Sequence, residues 1–476
     1  MCLGEKLRNQ EVVIFAVSCC HTFIIPKLFT TPVACSLAPI WAQVDCSAVR
    51  MLDLKSHQIL TWLEYFYVVV LLGFLTQGPV LKIWEASGYI DSGIISNSKF
   101  STYLIVQIPA LLLLFRRGIP ASLLKGPVGV LLAFCAWMFI STFWSTFSSH
   151  SLVESFTLTV TCLAGLYIAR SFTLLQQLTL FLVAMQPGLV VSWYAVRNNW
   201  SGAVNFDENY WIGIYFNRNS LAPPAALGLL AALALAWILI VRRPKYWAVF
   251  LSVLLDVMLL DLGLLIRSKS STSIGAIVVF VFVWGFWTSV RWLHRRKVVI
   301  PKPKMLEVVY PSFVLGVTII TWFGFRYQQR LLAIFGGNLD FTGRTLLWRY
   351  SWVSFSGKPI FGWGWMSAWQ TPEFFSFAQF KGWLPLINMH WSHSGVMDVL
   401  LGGGLIGAGL LVVAIFWSGA RQLERVFTQT AGQWTFAATW FVIAASTQES
   451  FIVGNHFLWL LLVASMAGSR NETIEV

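Results

Sequence analysis

Charge is scarce in this chain. Only 11% of its 476 residues are Asp, Glu, Lys or Arg, 57% are hydrophobic, and mean hydropathy is +0.69. A soluble globule carries charge on roughly a quarter of its residues, so that class is excluded. Acidic groups are scarcer still, 20 against 33 Lys and Arg, which leaves a formal net charge of +13. Cysteine is sparse and oddly placed. Five of the seven (Cys2, Cys19, Cys20, Cys35, Cys46) fall in the first 50 residues without the paired spacing of a metal site, and Cys135 and Cys162 sit within apolar runs. That pattern excludes a disulfide framework and leaves inert thiols. No small-residue cleavage site follows the mixed stretch from Glu5 to Thr30, so a cleavable signal peptide is not expected. Fixed-period repeats and low-complexity tracts are lacking too.

What the chain does have is apolar sequence in runs. Stretches near the roughly 18 residues needed to cross a hydrocarbon core recur along it, and backbone in lipid must satisfy its own hydrogen bonds, so these runs are predicted to be helices. They lie near 61–80, 100–115, 127–144, 153–169, 177–196, 219–241, 247–266, 273–291, 308–325, 394–417, 433–453 and 455–468. The fold class that follows is all-α, a polytopic transmembrane helical bundle of about twelve spans, or roughly 13–14 with one or two more before residue 50. Four parts are expected: an N-terminal extension (1–55), an N-terminal transmembrane bundle (56–325), a large external loop (326–392) and C-terminal transmembrane helices (393–476).

Orientation follows from short basic linkers. Arg116 and Arg117 with Lys125, Arg170, Arg242 and Arg243 with Lys245, the run from Arg291 to Lys304, and Arg421 with Arg425 share one side when spans are counted. The positive-inside bias makes that side cytoplasmic. Opposite lie 81–99, 145–152, 197–218, 267–272 and 326–392. The last is far longer than ordinary connections, so short helices lying against the membrane surface are expected within it. There RTLLWRYSWV places Leu346, Leu347, Tyr350 and Val353 on one side, with Trp348 and Trp352 one turn apart.

The outer face is cationic against that bias, carrying Arg197, Arg218, Arg267, Lys269, Arg326, Arg330, Arg344 and Arg349. Arg267 and Lys269 end one span and precede the next, among the hydroxyls of Ser268, Ser270, Ser271, Thr272 and Ser273. Guanidinium, ammonium and hydroxyl donors at head-group level suit a phosphate or diphosphate. Snorkelling to lipid phosphates is the plainer alternative. The basic excess therefore points to membrane lipids and an anionic amphiphile, not to nucleic acid; a polyprenyl diphosphate sugar is such a molecule.

Titratable groups gather in MHWSHSGVMDVLLGGGLIG, Met389 to Gly407. His393 opens a long apolar helix, whose positive end disfavours an imidazolium, so it suits a neutral base; the alternative is a histidine bonding its own loop. His390 is a second candidate. Asp398 lies over one turn inside the span, where a carboxylate should face the bundle, and it is expected to orient an arginine. Glu449 in STQESF raises the same question and reads first as structural. The pair Asp207 and Glu208 is a competing catalytic base. No Asp-x-Asp marks the outer face, and His390 with His393 lack further ligands, so neither metal nor cofactor is expected. Trp363, Trp365, Trp369, Trp383 and Trp391 read as a membrane belt or as sugar-stacking surfaces. Gly402, Gly403, Gly404, Gly407 and Gly409 read as close helix packing or as room for a lipid tail.

The segment FTGRTLLWRYSWVSFSGKPIFGWGWMSAW followed by HSGVMDVLLGGGLIG resembles the C-terminal signature of the O-antigen ligase and polysaccharide polymerase superfamily, particularly its exopolysaccharide polymerase-like members. Gly343, Arg344, Thr345, Trp348, Pro359, Gly362, Gly364, His393, Gly404 and Gly407 match it, while the Asn after the histidine is Ser394 here. Upstream, Asn219 in IGIYFNRNSLAP and RSKSSTS take matching places. The resemblance covers about residues 60–468 and is mainly topological before the last third. It implies a metal-independent glycosyltransferase on the external face of the bacterial cytoplasmic (inner) membrane. Such an enzyme moves glycan from a polyprenyl-diphosphate-linked oligosaccharide to a glycan or lipid acceptor. His393 would be the base, and Arg344, Lys269 and Arg267 would hold the diphosphate, with Arg218, Arg349, His390 and Asp398 in second place. Polymerisation of repeat units is favoured over an O-antigen-type ligase; a lipid-linked glycan transporter or flippase is the alternative from another class.

Overall fold

A computed structural model describes residues 46–79, 95–118, 124–296, 305–319, 344–371 and 391–468. Most of the expected N-terminal extension, with Arg326, Arg330, Gly343, Trp383 and His390, lies outside the described residues.

The elements run α1 (Cys46–Leu75), α2 (Ile95–Arg117), α3 (Pro127–Ile140, extended by a 3-10 turn Ser141–Trp144), α4 (Ser148–Ser171), α5 (Leu174–Arg197), a two-stranded antiparallel hairpin of β1 (Val204–Asn205) and β2 (Tyr210–Trp211), α6 (Arg218–Arg242), α7 (Trp247–Ser268) and α8 (Ser271–Arg295). They continue as α9 (Glu307–Ile319), α10 (Arg344–Gly357), α11 (Gly395–Thr428), α12 (Thr430–Ser446) and α13 (Phe457–Ala467). Eight of these helices are long and apolar enough to cross a membrane. The chain is a helical, multi-pass membrane protein. Local chemistry sets several boundaries: Thr173 and Gln176 form a reciprocal capping box at α5, and Asn217 Oδ1 accepts the Ser220 N–H at 2.9 Å to start α6.

Two expected spans come out shorter. α12 stops at Ser446, and the chain then runs outside helix until α13, whose 11 residues reach only about 16 Å. Phe457 to Met466 are all buried, so α13 is an apolar rod enclosed by protein, packed on α4 and α12. A run this short satisfies its hydrophobicity in a core more readily than across a bilayer.

The 34-residue α11 is broken at Gly404, where φ is 64° and ψ −162°. The break should strand two carbonyls and two amides, since Leu405 and Ile406 can no longer reach back to Leu401 and Gly402. The segment 359–364 takes all four. Leu405 N–H donates to Pro359 O at 2.8 Å and Ile406 N–H to Ile360 O at 3.4 Å, while Trp363 and Gly364 N–H donate to Leu401 O (2.7 Å) and Gly402 O (3.1 Å). Trp137 Nε1 closes on Gly403 O at 2.8 Å. Irregular backbone at this depth is tolerable only with every group satisfied by protein. The glycines are what make the approach possible: a Cβ on Gly362 would strike the backbone of Leu401 and Gly402, and one on Gly404 the Ile360 carbonyl. Sequence reading took the 402–407 glycines as packing positions or lipid room; the backbone insertion is a closer contact than either.

α10 forms where an interfacial helix was expected, but rotated. Leu347, Trp348, Ser351 and Phe355 are buried while Val353 and Trp352 are exposed, so Val353 does not share the buried face. The buried face packs on α11, where Leu347 and Phe355 join Leu401 and Trp369.

Candidate functional site

Glu449 lies in the non-helical turn after α12 and gathers groups from across the chain. Arg344, first residue of α10, binds its Oε1 through Nη2 and reaches the Gln448 carbonyl through Nη1 at 2.8 Å. Asn219, in the first turn of α6, donates Nδ2–H to the same Oε1 at 2.6 Å. His393 meets the other oxygen, Nδ1 to Oε2, at 2.9 Å. Ser270, just before α8, donates its hydroxyl to Asn219 Oδ1 at 2.8 Å, and Gly395 N–H, first in α11, donates to the Glu449 carbonyl at 3.0 Å.

The N-terminal ends of α6, α8, α10 and α11 thus gather around Glu449: Asn219 and Arg344 touch its carboxylate, Ser270 touches Asn219, and the Gly395 N–H touches its backbone carbonyl. Helix N-termini carry partial positive charge and unpaired N–H groups, so the junction is built for an anion. The Arg344 and Glu449 side chains are only 12% and 10% exposed, which strengthens their attraction by keeping water away. Among the described residues Arg344 uses two of its five guanidinium N–H groups, in the bonds to Gln448 and Glu449.

His393 is held in a left-handed backbone conformation, φ 53°, which costs a non-glycine residue roughly 1–2 kcal/mol. Its neighbours compensate. Ser392 N–H donates to Asp398 Oδ1 at 2.8 Å, the Ser392 hydroxyl to Ser394 O at 2.7 Å, and Ser394 N–H to Ser392 Oγ at 3.1 Å. The imidazole is turned so that Nδ1 faces Glu449 while Nε2 meets no described residue, with Trp391 edge-on at 6.4 Å. A carboxylate accepting from Nδ1–H fixes the tautomer in which Nε2 carries a lone pair, the form a general base needs.

Not all expected site residues join this hub. Among the described residues Asp398 meets no arginine: its partners are the Ser392 N–H and the Ser450 hydroxyl. It is buried one helical turn in, where those two donors satisfy its oxygens. Arg267 and Lys269 are exposed and point to the hairpin instead, Arg267 over the Trp211 ring at 5.6 Å and Lys269 Nζ to the Glu208 carbonyl at 3.3 Å. Arg218 joins them, 3.5 Å from Glu208 and 4.7 Å above Tyr210. Of the five hydroxyls expected around the cations, Ser268, Ser270, Thr272 and Ser273 are buried and turned inward, because they occupy the end of α7 and the first turn of α8. Arg349 is exposed on α10. Asp207 and Glu208 occupy the exposed hairpin turn. Trp365 and Trp369 are fully buried, so neither belongs to a belt or a sugar-stacking face. Among the described residues no cluster of three or more His, Cys, Asp or Glu could hold a metal ion.

Sequence reasoning undervalued Glu449. The available signal was a lone carboxylate between two strongly apolar runs, a position where a charge requires a partner. No protein-family model matches this chain, and no curated protein matches it either.

Proposed function

We propose that this protein is a membrane glycosyltransferase that takes glycan from a polyprenyl diphosphate carrier and polymerises repeat units of a cell-surface polysaccharide. It would lie in the bacterial cytoplasmic membrane with about twelve spans, a large external loop over 326–392 and the hub outside. One observation carries the reading: the His393 imidazole, through Nδ1, and the Arg344 guanidinium take the two oxygens of one carboxylate, Glu449, among the N-terminal ends of four helices. A base next to an anion-stabilising ring of donors is what displacement of a diphosphate by a hydroxyl requires.

In the reaction the acceptor hydroxyl attacks the anomeric carbon as its proton passes to His393 Nε2. The bond from that carbon to the diphosphate oxygen breaks, and the electron pair leaves with the diphosphate. Arg344 and the helix ends offset the charge growing there, without a metal ion, and attack from the opposite face inverts the sugar. Arg218, Arg267 and Lys269 flank the approach from the hairpin side. The signature resemblance and the basic linkers at the far end of the bundle support the same orientation.

The transporter reading draws on the break in α11, since discontinuous helices often hold cargo. Here Leu401 O, Gly402 O, Leu405 N and Ile406 N are all engaged by 359–364, which leaves none of these groups for a substrate. The deciding experiment is incubation of the purified protein with a lipid-diphosphate oligosaccharide. A ladder of longer glycans that vanishes in His393→Ala and Arg344→Gln is expected; a ladder that persists in both ends the proposal.

A further inference from the structure

An acid inside an apolar span is expected to face the bundle and to find a cation. On α7, Asp261 does the first without the second. It lies seven residues, about 10 Å, from the Ser268 end of the helix and is fully buried. Among the described residues its bonding partner is an amide: Gln186 of α5 donates Nε2–H to Oδ2 at 3.2 Å. The other oxygen of each group, Asp261 Oδ1 and Gln186 Oε1, is buried with no hydrogen-bond partner among the described residues. Gly228 of α6 leaves room for the pair, because a Cβ there would strike Asp261 Oδ2 and press on Gln186 Nε2. Tyr215, in the loop before α6, comes within electrostatic range and brings no positive charge.

Two leftover acceptors in one bonded pair call for a hydrogen between them. We propose that Asp261 is a proton-binding site: Oδ1 carries a proton taken from solvent and donates it to Gln186 Oε1, which with the Nε2–H bond to Oδ2 closes a two-bond acid–amide ring between α7 and α5. The proton joins Oδ1 and no other covalent bond changes. Each free oxygen shares a carbon with an atom of the existing bond, and the terminal torsions of Asp and Gln are broad, so the two groups can lie edge to edge. Neutrality decides against the alternatives. A water between Oδ1 and Oε1 would satisfy both atoms yet leave a buried charge facing one neutral donor, and an unpaired carboxylate in such a place costs far more than neutralising it. Hard metal cations take roughly six or more oxygen ligands, whereas the pair offers only its two free oxygens. The bound proton fastens α7 to α5, and α7 leads directly to Ser270, which bonds Asn219 of the hub. The site requires the buried pair alone and not the transfer reaction.

The test is infrared difference spectroscopy of the purified chain at neutral pH, parent against Asp261→Asn. The expected difference is one protonated-carboxyl C=O band present in the parent alone. That band should move to higher frequency in Gln186→Leu, where its hydrogen bonds are gone. Asn reproduces both bonds of the ring, Nδ2–H to Oε1 and Oδ1 from Nε2–H, so Asp261→Asn is expected to fold and keep the parent's thermal midpoint, while Gln186→Leu loses both bonds and melts lower. Should Gln186→Leu not fold, the Asn variant alone decides. The proposal is overturned by ionised-carboxylate bands in place of the acid band, by an acid band unmoved in folded Gln186→Leu, or by an Asp261→Asn chain that does not fold. It is equally overturned by a parent midpoint that rises in sodium chloride over choline chloride with the rise gone in Asp261→Asn, which marks a metal cation. None of these readouts involves turnover, so absence of the acid band refutes the proton site and leaves the proposed reaction standing.

Discussion

His393 and Glu449, 56 residues apart in sequence, meet at 2.9 Å through Nδ1 and Oε2, while Arg344 and Asn219 occupy the other carboxylate oxygen. Glu449 therefore acts on a base and a cation at once, and removing its charge should disturb both. In Glu449→Gln the amide presents either N–H or C=O to Nδ1, and the N–H choice forces the tautomer whose Nε2 is protonated and useless as a base. Turnover of a lipid-diphosphate oligosaccharide is expected to fall about 10²–10⁴-fold. The same change leaves Arg344 without its counter-charge at a site only 12% exposed, so the thermal midpoint should drop by the equivalent of about 3 kcal/mol. Retained turnover would remove Glu449 from the mechanism.

The break in α11 gives a prediction independent of chemistry. Gly404 sits at φ 64° and ψ −162°, a region essentially closed to residues with a Cβ, against the Ile360 carbonyl. Gly404→Ala should destabilise the purified protein by at least about 3 kcal/mol. Gly362→Ala should do so comparably, and the double variant should cost less than the two losses added, because one insertion is lost in each. Gly409→Ala, with nothing within 4 Å of the new methyl, is the contrast: a stability change between zero and a gain of about 1 kcal/mol. Scanning fluorimetry in one detergent checks all four.

The hairpin carboxylates separate the two candidate bases. Asp207 is exposed at the turn between β1 and β2 and bonds no group of the Glu449 junction among the described residues, so Asp207→Asn is expected to keep glycan synthesis within about twofold of the parent, a surface substitution in effect. His393→Ala should abolish it. Inactivity of Asp207→Asn together with activity of His393→Ala, compared at equal membrane abundance, would reverse the assignment.

Much of the helical layout was legible because apolar runs of near-bilayer length leave the backbone no other option. The order Arg344, Pro359, Gly362, Gly364, His393, Gly404 and Gly407 was legible as well, and the structure gives part of it a physical reason: 359–364 and 401–406 form one interlocked unit. What the sequence hid was the pairing of charges. Glu449 lies 105 residues from Arg344 and 230 from Asn219, and nothing local distinguishes it from a structural acid. The face of α10 was hidden for another reason. Leu346, Leu347, Trp348, Tyr350, Trp352 and Val353 put bulky apolar groups nearly all round the helix, so periodicity selects no side. At Ser268 to Ser273 composition misled, since a run of hydroxyls beside two cations resembles a phosphate cradle until helix ends turn most of them inward.

Asp398 offers the sharpest test of positioning. Its two oxygens take the Ser392 N–H and the Ser450 hydroxyl, and these residues are the chain neighbours of His393 and Glu449. One buried carboxylate thus ties together the two segments that carry the dyad, and it also supports the left-handed turn at His393. Asp398→Ala should let both segments drift, and a displacement near 1 Å is enough to lower turnover about 10²-fold. Asn at this position still accepts from Ser392 through Oδ1, and its Nδ2 can donate to Ser450 once that hydroxyl turns, so Asp398→Asn should recover most of the loss. The loss should appear in kcat with KM little changed, because Arg344, the proposed diphosphate contact, is not altered. A purely structural carboxylate would instead lower the amount of folded protein and leave kcat per folded molecule unaltered in both variants, and that outcome would strip Asp398 of its positioning role.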